Sequence, residues 1–477
     1  MKRSALLLSV ALAGCSMAPK YARPEAPVPP SWPIGDAYLR TNEAALPAVS
    51  YRDIFRDARL QKLIEQALAN NRDLRIAAAN IAAARAQYRV QRAQQLPEVD
   101  ASGGATLSGG QSRTGTGGTG TRSAFSADLG VPAFELDLFG RVASLTRAAQ
   151  SRYFATEAAA RATRLTLVGD IADAWLNYAA DASLLEIARD TADSAQRSVT
   201  LTRARLEGGI APRTDLRQAE QVLTGAQADL AEETTALAQD VNALQLLVGA
   251  PIDAALLPAS IDEAAPTIAE LPAGLDSRVL LRRPDVVEAE YQLRAANAEI
   301  GAARAALFPN ISLTGLLGFA SNALTGLLSG GGFNWSGGAN LNYSIFNAGA
   351  GRAGVALSQA QRDAALATYE RAIQTAFREV SDALARRGTI AEQLRATQAQ
   401  QAAAADTYRL TDARYRGGID PFLTSLDAQR SLYGAQQSLV QTKLIEASNL
   451  VTLYRTLGGD ALIEATAAGP QPAGGGQ

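Results

Sequence analysis

Histidine is absent from all 477 residues, and the chain carries one Cys and two Met. That inventory excludes Ser-His-Asp and Cys-His nucleophiles, histidine acid–base catalysis and conventional zinc sites. Carboxylate or lysine chemistry survives it, but no arrangement points there. The chain is therefore expected to be no enzyme, with no metal and no cofactor. Aromatic residues are scarce, at 6%, although hydrophobic residues reach 47%. Wide conventional cores would lack bulky side chains, whereas narrow helix–helix seams built on Ala and Leu would not. An excess of either charge is missing too. A net charge of -2 leaves no basic stripe, and no Lys/Arg cluster stands beside aromatic stacking platforms, so nucleic acid is not an expected partner.

What the chain does contain is a repeat. LEGGIAPRTDLRQAEQVLTGAQADL from Leu206 returns as YRGGIDPFLTSLDAQRSLYGAQQSL from Tyr415, displaced by 209 positions without a gap. Gly208, Gly209, Ile210 and Pro212 reappear as Gly417, Gly418, Ile419 and Pro421. A register kept over so many residues marks a duplicated architecture.

Long helical patterns lead into both copies. One runs from about Arg141 to about Glu207, interrupted only by Gly169, and its counterpart runs from about Gly351 to Arg416. If continuous, each would be roughly 100 Å long at 1.5 Å per residue. After the first Gly-Gly break, Leu216, Leu223, Leu230, Leu237 and Leu244 recur every seven residues with Ala219 and Ala226 between them. That spacing is a coiled-coil seam with close approach. Leu432, Leu439 and Leu453 keep the register in the second copy. The glycine pairs are expected to end the long helices in left-handed geometry, and Pro212 and Pro421 to enter the first turn of the next. Each half then holds an antiparallel helical hairpin hinged at Gly208-Gly209 or Gly417-Gly418.

Four stretches between the helices have period two. Val99, Ala101, Ala105 and Leu107 alternate with Asp100, Ser102, Thr106 and Ser108. Phe125, Ala127, Leu129 and Val131 alternate with polar residues until the parity flips at Phe134, which a bulge near Pro132 explains. Ile311, Leu313, Leu317 and Phe319 make a third set with Leu316 as exception, and Ala339, Leu341, Tyr343 and Ile345 a fourth. Each has about the 9–11 residues of a tilted membrane strand. Glycine-rich loops from Gly109 and from Ser321 join them in pairs. A soluble sheet with one wet face shows the same alternation. Four strands cannot close a barrel, for which about eight are needed, so in a membrane other copies of the chain must satisfy their edges.

The lone Cys ends a short apolar run. Lys2 and Arg3 precede Ala5 to Ala13, and Leu12-Ala13-Gly14-Cys15 follows with small residues. The segment is too short to span a bilayer and resembles a bacterial lipoprotein signal, cut before Cys15, which then carries the lipid (a palmitate-type acyl anchor). The alternative is an ordinary secretory signal with an incidental thiol. Ser16, not being Asp, favours the outer membrane under the same resemblance.

RRPDVVEAEYQLRAANAEIGAARAALFPNISLTG from Arg282, FELDLFGR from Phe134 and the twin Gly-Gly-Ile hinges together resemble the outer-membrane efflux lipoproteins of the TolC/OprM/NodT type. The resemblance covers nearly all of the mature chain. It implies a mainly α fold with a membrane β-barrel: a TolC-like homotrimer with four strands and long coiled-coil helices per protomer, forming a 12-stranded barrel and a 12-helix periplasmic tunnel. It implies a passive exit duct of a tripartite efflux system, gated by opening of the hairpin tips. Its partners would be a periplasmic adaptor, an inner-membrane transporter of RND type, and outer-membrane lipid. A periplasmic adaptor would instead have one hairpin flanked by soluble β-domains, and a structural coiled-coil lipoprotein would lack the alternating segments.

On this reading residues 1–14 are a signal peptide, 15–56 a lipidated extended segment rich in Pro, and 57–250 the first repeat, with strands near 98–109 and 123–139. Residues 251–275 are a linker, 276–459 the second repeat, with strands near 309–320 and 335–347, and 460–477 a tail. The resemblance places the periplasmic gate aromatic on Tyr415, an apolar ring on Leu423 and an acidic ring on Asp427. Three like charges in a narrow mouth would draw cations, although Asp427 alone reads equally as a solvated helix carboxylate. Some relatives latch the tip with an arginine at the position of Asp420, paired with an Asp matching Asp215. Here that pair is two carboxylates, so this latch is not expected, and Asp420 reads as the N-cap of the following helix. Pro284 and Asp285 suit the start of a structural helix, and Trp175 suits packing. Trp335 and Phe333, flanking a loop, suit a membrane-interface belt.

Overall fold

The computed structural model describes residues 16–33, 35, 37–38, 50–110, 120–270, 277–327, 332–466 and 469–471. Cys15, residues 1–14, expected to be a signal peptide, and the middles of both glycine-rich loops lie outside them. In chain order the main elements are α1 (Ala58–Asn70), α2 (Arg72–Ala93), β1 (Asp100–Gly110), β2 (Gly120–Glu135), α3 (Arg141–Glu207) and α4 (Arg213–Val248). There follow α5 (Pro284–Ala305), β3 (Asn310–Ser321), β4 (Phe333–Asn342), α6 (Ala350–Arg416) and α7 (Phe422–Thr456). Among the described residues no helix is long and apolar enough to cross a membrane.

Helices α3 and α6 are each 67 residues long and unbroken. They begin 209 positions apart, as do α4 and α7, so the register seen at the hinges extends over both whole hairpins. Gly169 does not interrupt α3, because a helical glycine only weakens propensity.

The chain divides into two compact units. The first comprises residues 1–23, 80–157 and 288–369. It contains an antiparallel sheet of order β1-β2-β3-β4. The register stacks Ala101, Leu129, Leu317 and Trp335 across all four strands, and beside them Gly103, Ala127, Phe319 and Phe333. The opposite face carries Ser102, Asp128, Gly318 and Asn334, with Leu316 as its apolar exception. The β2–β3 register shifts between Val131 and Phe134, the bulge expected at Pro132. The apolar face is bare: Leu129 is 49% exposed, Leu317 53% and Trp335 75%.

Two strand ends differ from expectation. β2 stops at Glu135, because the Asp137 carboxylate turns to accept the Val142 and Ala143 N–H groups and caps α3. β4 begins at Phe333 and ends at Asn342, so Tyr343 and Ile345 fall beyond the ladder. Asn342 faces Asn310, and the residue before Asn310 is Pro309, which has no N–H to continue the pairing.

The second unit comprises residues 24–79, 158–287 and 370–477. Its core gathers Phe55, Leu60, Leu63 and Ile64 with Trp175, Leu176, Leu244 and Ile261, all fully buried. The Trp175 indole donates to the Leu256 carbonyl at 3.1 Å, a packing role as expected. Arg283 is buried and donates to Asp285, Glu379 and the Thr456 carbonyl, while Pro284 opens α5. The RRPD run is therefore structural. Along the α4 seam Leu216, Ala219, Ala226 and Leu244 are buried, and Leu223, Leu230 and Leu237 are half-buried.

Candidate functional site at the hairpin tips

Both hairpins turn through the same backbone motif, and all of it lies in the second unit. Ile210 N–H donates to the Arg205 carbonyl at 2.9 Å and Gly209 N–H to Leu206 at 3.0 Å; Ile419 and Gly418 repeat this onto Arg414 and Tyr415 at the same distances. These are Schellman caps, which satisfy the helix-end carbonyls and need a left-handed residue. Gly209 and Gly418 supply it with φ of 72° and 74°. Gly208 and Gly417 precede them with ordinary φ. Pro212 and Pro421 are N-caps of α4 and α7, with extended backbone, one position earlier than expected. Their carbonyls already accept the N–H groups of Asp215 and Thr424.

Tyr415 is the centre of the site. It is 5% exposed, and its ring lies 5.2 Å from that of Phe422. Val199, Leu216, Ala219 and Leu426 complete a buried cluster contributed by both hairpins. The Tyr415 hydroxyl lies 3.2 Å from Thr202 Oγ1. Arg205 reaches across: its guanidinium stands 4.5 Å from the Tyr415 ring centroid and donates to the Arg416 carbonyl at 3.0 Å. Farther along, Ser194 Oγ and Tyr408 Oη are 2.9 Å apart, and Tyr433 donates to Asp229 at 3.0 Å. Burial beside that carboxylate pushes the Tyr433 phenol up.

Leu423 and Asp427 occupy the other face of α7. They are one turn apart and exposed, Leu423 by 51%, whereas Phe422, Ser425, Leu426 and Gln429 are buried. Within one protomer Tyr415 thus does not meet Leu423 or Asp427. The first belongs to the buried cluster between hairpins, and the other two to an exposed helix face. Cys15 lies outside the described residues.

The N-cap reading of Asp420 is corrected. Pro421 holds the cap position, and Asp420 accepts from Arg414 Nε at 2.6 Å and Nη2 at 2.9 Å. A planar guanidinium outcompetes a single backbone N–H for a carboxylate. Arg414 holds the Asp420 carboxyl below its ordinary range. Asp215, half-buried, has Thr214 Oγ1 at 3.5 Å. The sequence reading missed Thr202 and Arg205. Arg205 had one usable signal, being the register mate of Arg414.

Higher in the first hairpin, the Asp181 carboxyl on α3 and the Asp240 carboxyl on α4 are close neighbours. Burial and the neighbouring carboxylate push Asp240 up to about 7. Among the described residues no cluster of His, Cys, Asp and Glu could hold a metal.

The chain that carries these two 67-residue helices, their twin Schellman tips and the open apolar sheet matches a known protein family. The family described as outer membrane efflux protein covers residues 63–250 and 275–459. The chain belongs to the outer membrane efflux protein family. It is 46% identical over 470 residues to the toluene efflux pump outer membrane protein TtgC of Pseudomonas putida, with 96% of each chain covered. It is 40% identical over 460 residues to the outer membrane protein OprJ of Pseudomonas aeruginosa, covering 96% of this chain and 95% of OprJ. Its fold matches the open state of the MtrE outer membrane channel of Neisseria gonorrhoeae with a TM-score of 0.81 at 34% identity, covering 94% and 99% of the two chains. As a member of this family the protein is an outer-membrane efflux component with a TolC-like fold.

Proposed function

We propose that the protein is the exit duct of a tripartite efflux assembly, and that it works as a homotrimer. One observation carries the reading: a four-stranded sheet whose outer strands β1 and β4 pair on one side only, and whose exposed face is apolar. Open edges are not tolerated in a bilayer, and four strands are too few to close. Three copies supply twelve, and three pairs of hairpins supply a helical tunnel. Family membership and the likeness to a channel in its open state support the same arrangement.

Transport through such a duct is passive and needs no catalytic group. Cys15 carries the lipid anchor. The Gly208-Gly209 and Gly417-Gly418 tips dock a periplasmic adaptor, and through it an inner-membrane transporter of RND type. The exposed Leu423 and Asp427 of three copies form an apolar and an acidic ring at the periplasmic mouth, backed by the Tyr415 seal. Small organic molecules are the cargo class, TtgC being named for toluene efflux.

Single-channel conductance of the purified trimer in a planar bilayer, across KCl concentrations, tests this. Small cation-selective openings that lose selectivity in Asp427→Ala are expected. Folded trimers that never conduct in either form would overturn the duct.

A further inference from the structure

Helix α2 carries Arg85, Arg89 and Arg92, spaced four and three residues apart on one face. All three are exposed, and among the described residues none of them makes an ion pair. Glu157 on α3 accepts from the Tyr153 hydroxyl, and Glu98 lies beyond the helix end. Like charges at this spacing destabilise a helix, so the face costs stability unless an anion settles on it.

The direction of the face follows from how α2 packs. Ile81, Ala84, Tyr88 and Gln91 are half-buried. Tyr88 stacks on Tyr153 with ring centroids 6.4 Å apart, and the Gln91 carbonyl lies 3.5 Å from Thr146 Oγ1. The two helices are therefore antiparallel, and in antiparallel helices the residue one step past each contact turns to the same side of the pair. Arg85, Arg89 and Arg92 stand one step past Ala84, Tyr88 and Gln91, and Arg147 stands one step past Thr146. Arg147 donates to Ser16 Oγ at 2.6 Å, so the arginine face lies on the side of the pair that Ser16 occupies. Asn80 and Gln87 take the opposite flank.

The counterpart of α2 in the second repeat is α5: both have 22 residues, and their ends fall 212 positions apart. The same offset carries Leu96-Pro97 onto Phe308-Pro309, and Arg85, Arg89 and Arg92 onto Asn297, Gly301 and Arg304. Those three meet an early segment of the chain. Asn297 Nδ2 donates to the Pro19 carbonyl at 2.9 Å, Arg304 Nη1 donates to the Met17 carbonyl at 3.3 Å, and a Cβ on Gly301 would stand 2.7 Å from Ala18. One face thus has two fates: peptide covers it in the second repeat, and in the first it is basic and bare. Three copies of such a segment inside a duct would obstruct it, so this face belongs to the outer wall.

The sheet sets the height of the arginines. Leu96 and Val99, 72% and 67% exposed, continue the apolar surface of β1 to within four residues of Arg92. Arg89 and Arg85 follow about 5 Å and about 10 Å farther along the helix axis.

We infer that Arg85, Arg89 and Arg92 bind the phosphates of anionic phospholipid headgroups where the apolar sheet gives way to the helices. The inference rests on the barrel reading of the sheet. A guanidinium holds a phosphate through paired N–H donors, and each basic residue near an anionic membrane surface is worth about fivefold in affinity. Continuity with the apolar surface selects a lipid over a soluble acidic partner. Screening confines the attraction to about 8–10 Å, which ranks Arg92 above Arg89 and Arg89 above Arg85.

The test uses purified full-length trimers, native and with all three arginines replaced by Gln, titrated in detergent with phosphatidylglycerol or phosphatidylcholine and read by native mass spectrometry. The native protein is expected to prefer phosphatidylglycerol at least tenfold, less so as salt is raised, and the triple variant to fall within twofold. Arg92→Gln alone should lose more of the preference than Arg85→Gln, and Gln87→Ala none. An unchanged preference in folded triple-variant trimers would overturn the inference, as would displacement of the lipid by an equal concentration of glycerol 3-phosphate. Loss of heat-resistant trimers in the triple variant would place the arginines between copies and overturn it too. Conductance of the triple variant should be native; a protein that never conducts fails as a duct, while its lipid preference still decides the role of the arginines.

Discussion

Arg205 and Arg414 stand at the same place in the two hairpin tips, and their carbonyls accept Ile210 and Ile419 N–H at the same 2.9 Å. Their side chains do different work. Arg414 folds back onto Asp420 within its own tip. At the first tip the residue matching Asp420 is Ala211, so Arg205 has no local carboxylate and crosses to Tyr415 and the Arg416 carbonyl. One position in a duplicated motif thus decides whether an arginine stiffens its own turn or ties one hairpin to the other. The backbone is symmetric, and the linkage between hairpins is not.

The largest break in that linkage comes from Tyr415→Ala. It empties a buried aromatic site and removes the ring under Arg205, at about 3 kcal/mol. Hydrogen exchange in residues 199–206 and 413–426 should accelerate by two orders of magnitude or more, while the rest of both hairpins keeps its protection. Native exchange in those segments would show that the seal lies elsewhere.

Arg205→Ala comes next, at about 1–2 kcal/mol for a partly buried cation over an aromatic ring and a charged hydrogen bond. In a double-mutant cycle with Tyr415→Ala the two changes should be strongly non-additive. Arg414→Ala combined with Tyr415→Ala should be additive, since Arg414 is engaged with Asp420.

A second asymmetry lies higher in the hairpins. Asp181 and Asp240 of the first are matched in the second by Ile390 and Asn449, both buried, with Asn449 donating to the Ala383 carbonyl at 3.2 Å. Burial raises Asp181, and raises Asp240 to about 7. Between the ordinary carboxyl range and that value the folded hairpin holds a proton that the unfolded chain has released, so its stability falls as pH rises through this window and levels off above it. Exchange protection of the α3–α4 seam should weaken as pH rises from 4.5 to 7.5, with the α6–α7 seam changing less. Asp240→Asn should flatten the slope without removing it, since burial still raises Asp181.

The smallest effect belongs to Asp420→Ala. Its pair with Arg414 is exposed at the tip, where water and salt screen it. Tip exchange should change little and only at low ionic strength. Arg414 lowers the Asp420 carboxyl, so whatever the pair contributes is present at neutral pH and fades only in acid below the ordinary Asp range.

Much of the fold was legible because its signals are long. Sixty-seven-residue helices bounded by Gly-Gly and strands of strict parity leave few alternatives. Strand ends were less so, because Asp137 turning to cap α3 and Pro309 ending the ladder are local competitions that alternation does not record. At the site, the left-handed hinge followed from the repeated glycine pairs, and the resemblance singled out Tyr415 without indicating that it is buried. Arg205 did not, since an arginine three residues from a helix end has several acceptors in reach, and only three-dimensional proximity selects the ring of the other hairpin. The opposite error at Asp420 has the same origin: an Asp before Pro reads as a cap until an arginine six residues earlier returns to claim it.

The first-tip arginine holds the hairpins together because Ala211 offers it no carboxylate. Ala211→Asp tests this most directly, since it removes no existing contact and gives Arg205 the carboxylate that Arg414 already has. Single-channel conductance of the Ala211→Asp trimer should rise toward that of Arg205→Ala, both well above the native openings. Native conductance in Ala211→Asp alongside enlarged openings in Arg205→Ala would contradict the exchange of partners, and native conductance in both would contradict the seal itself.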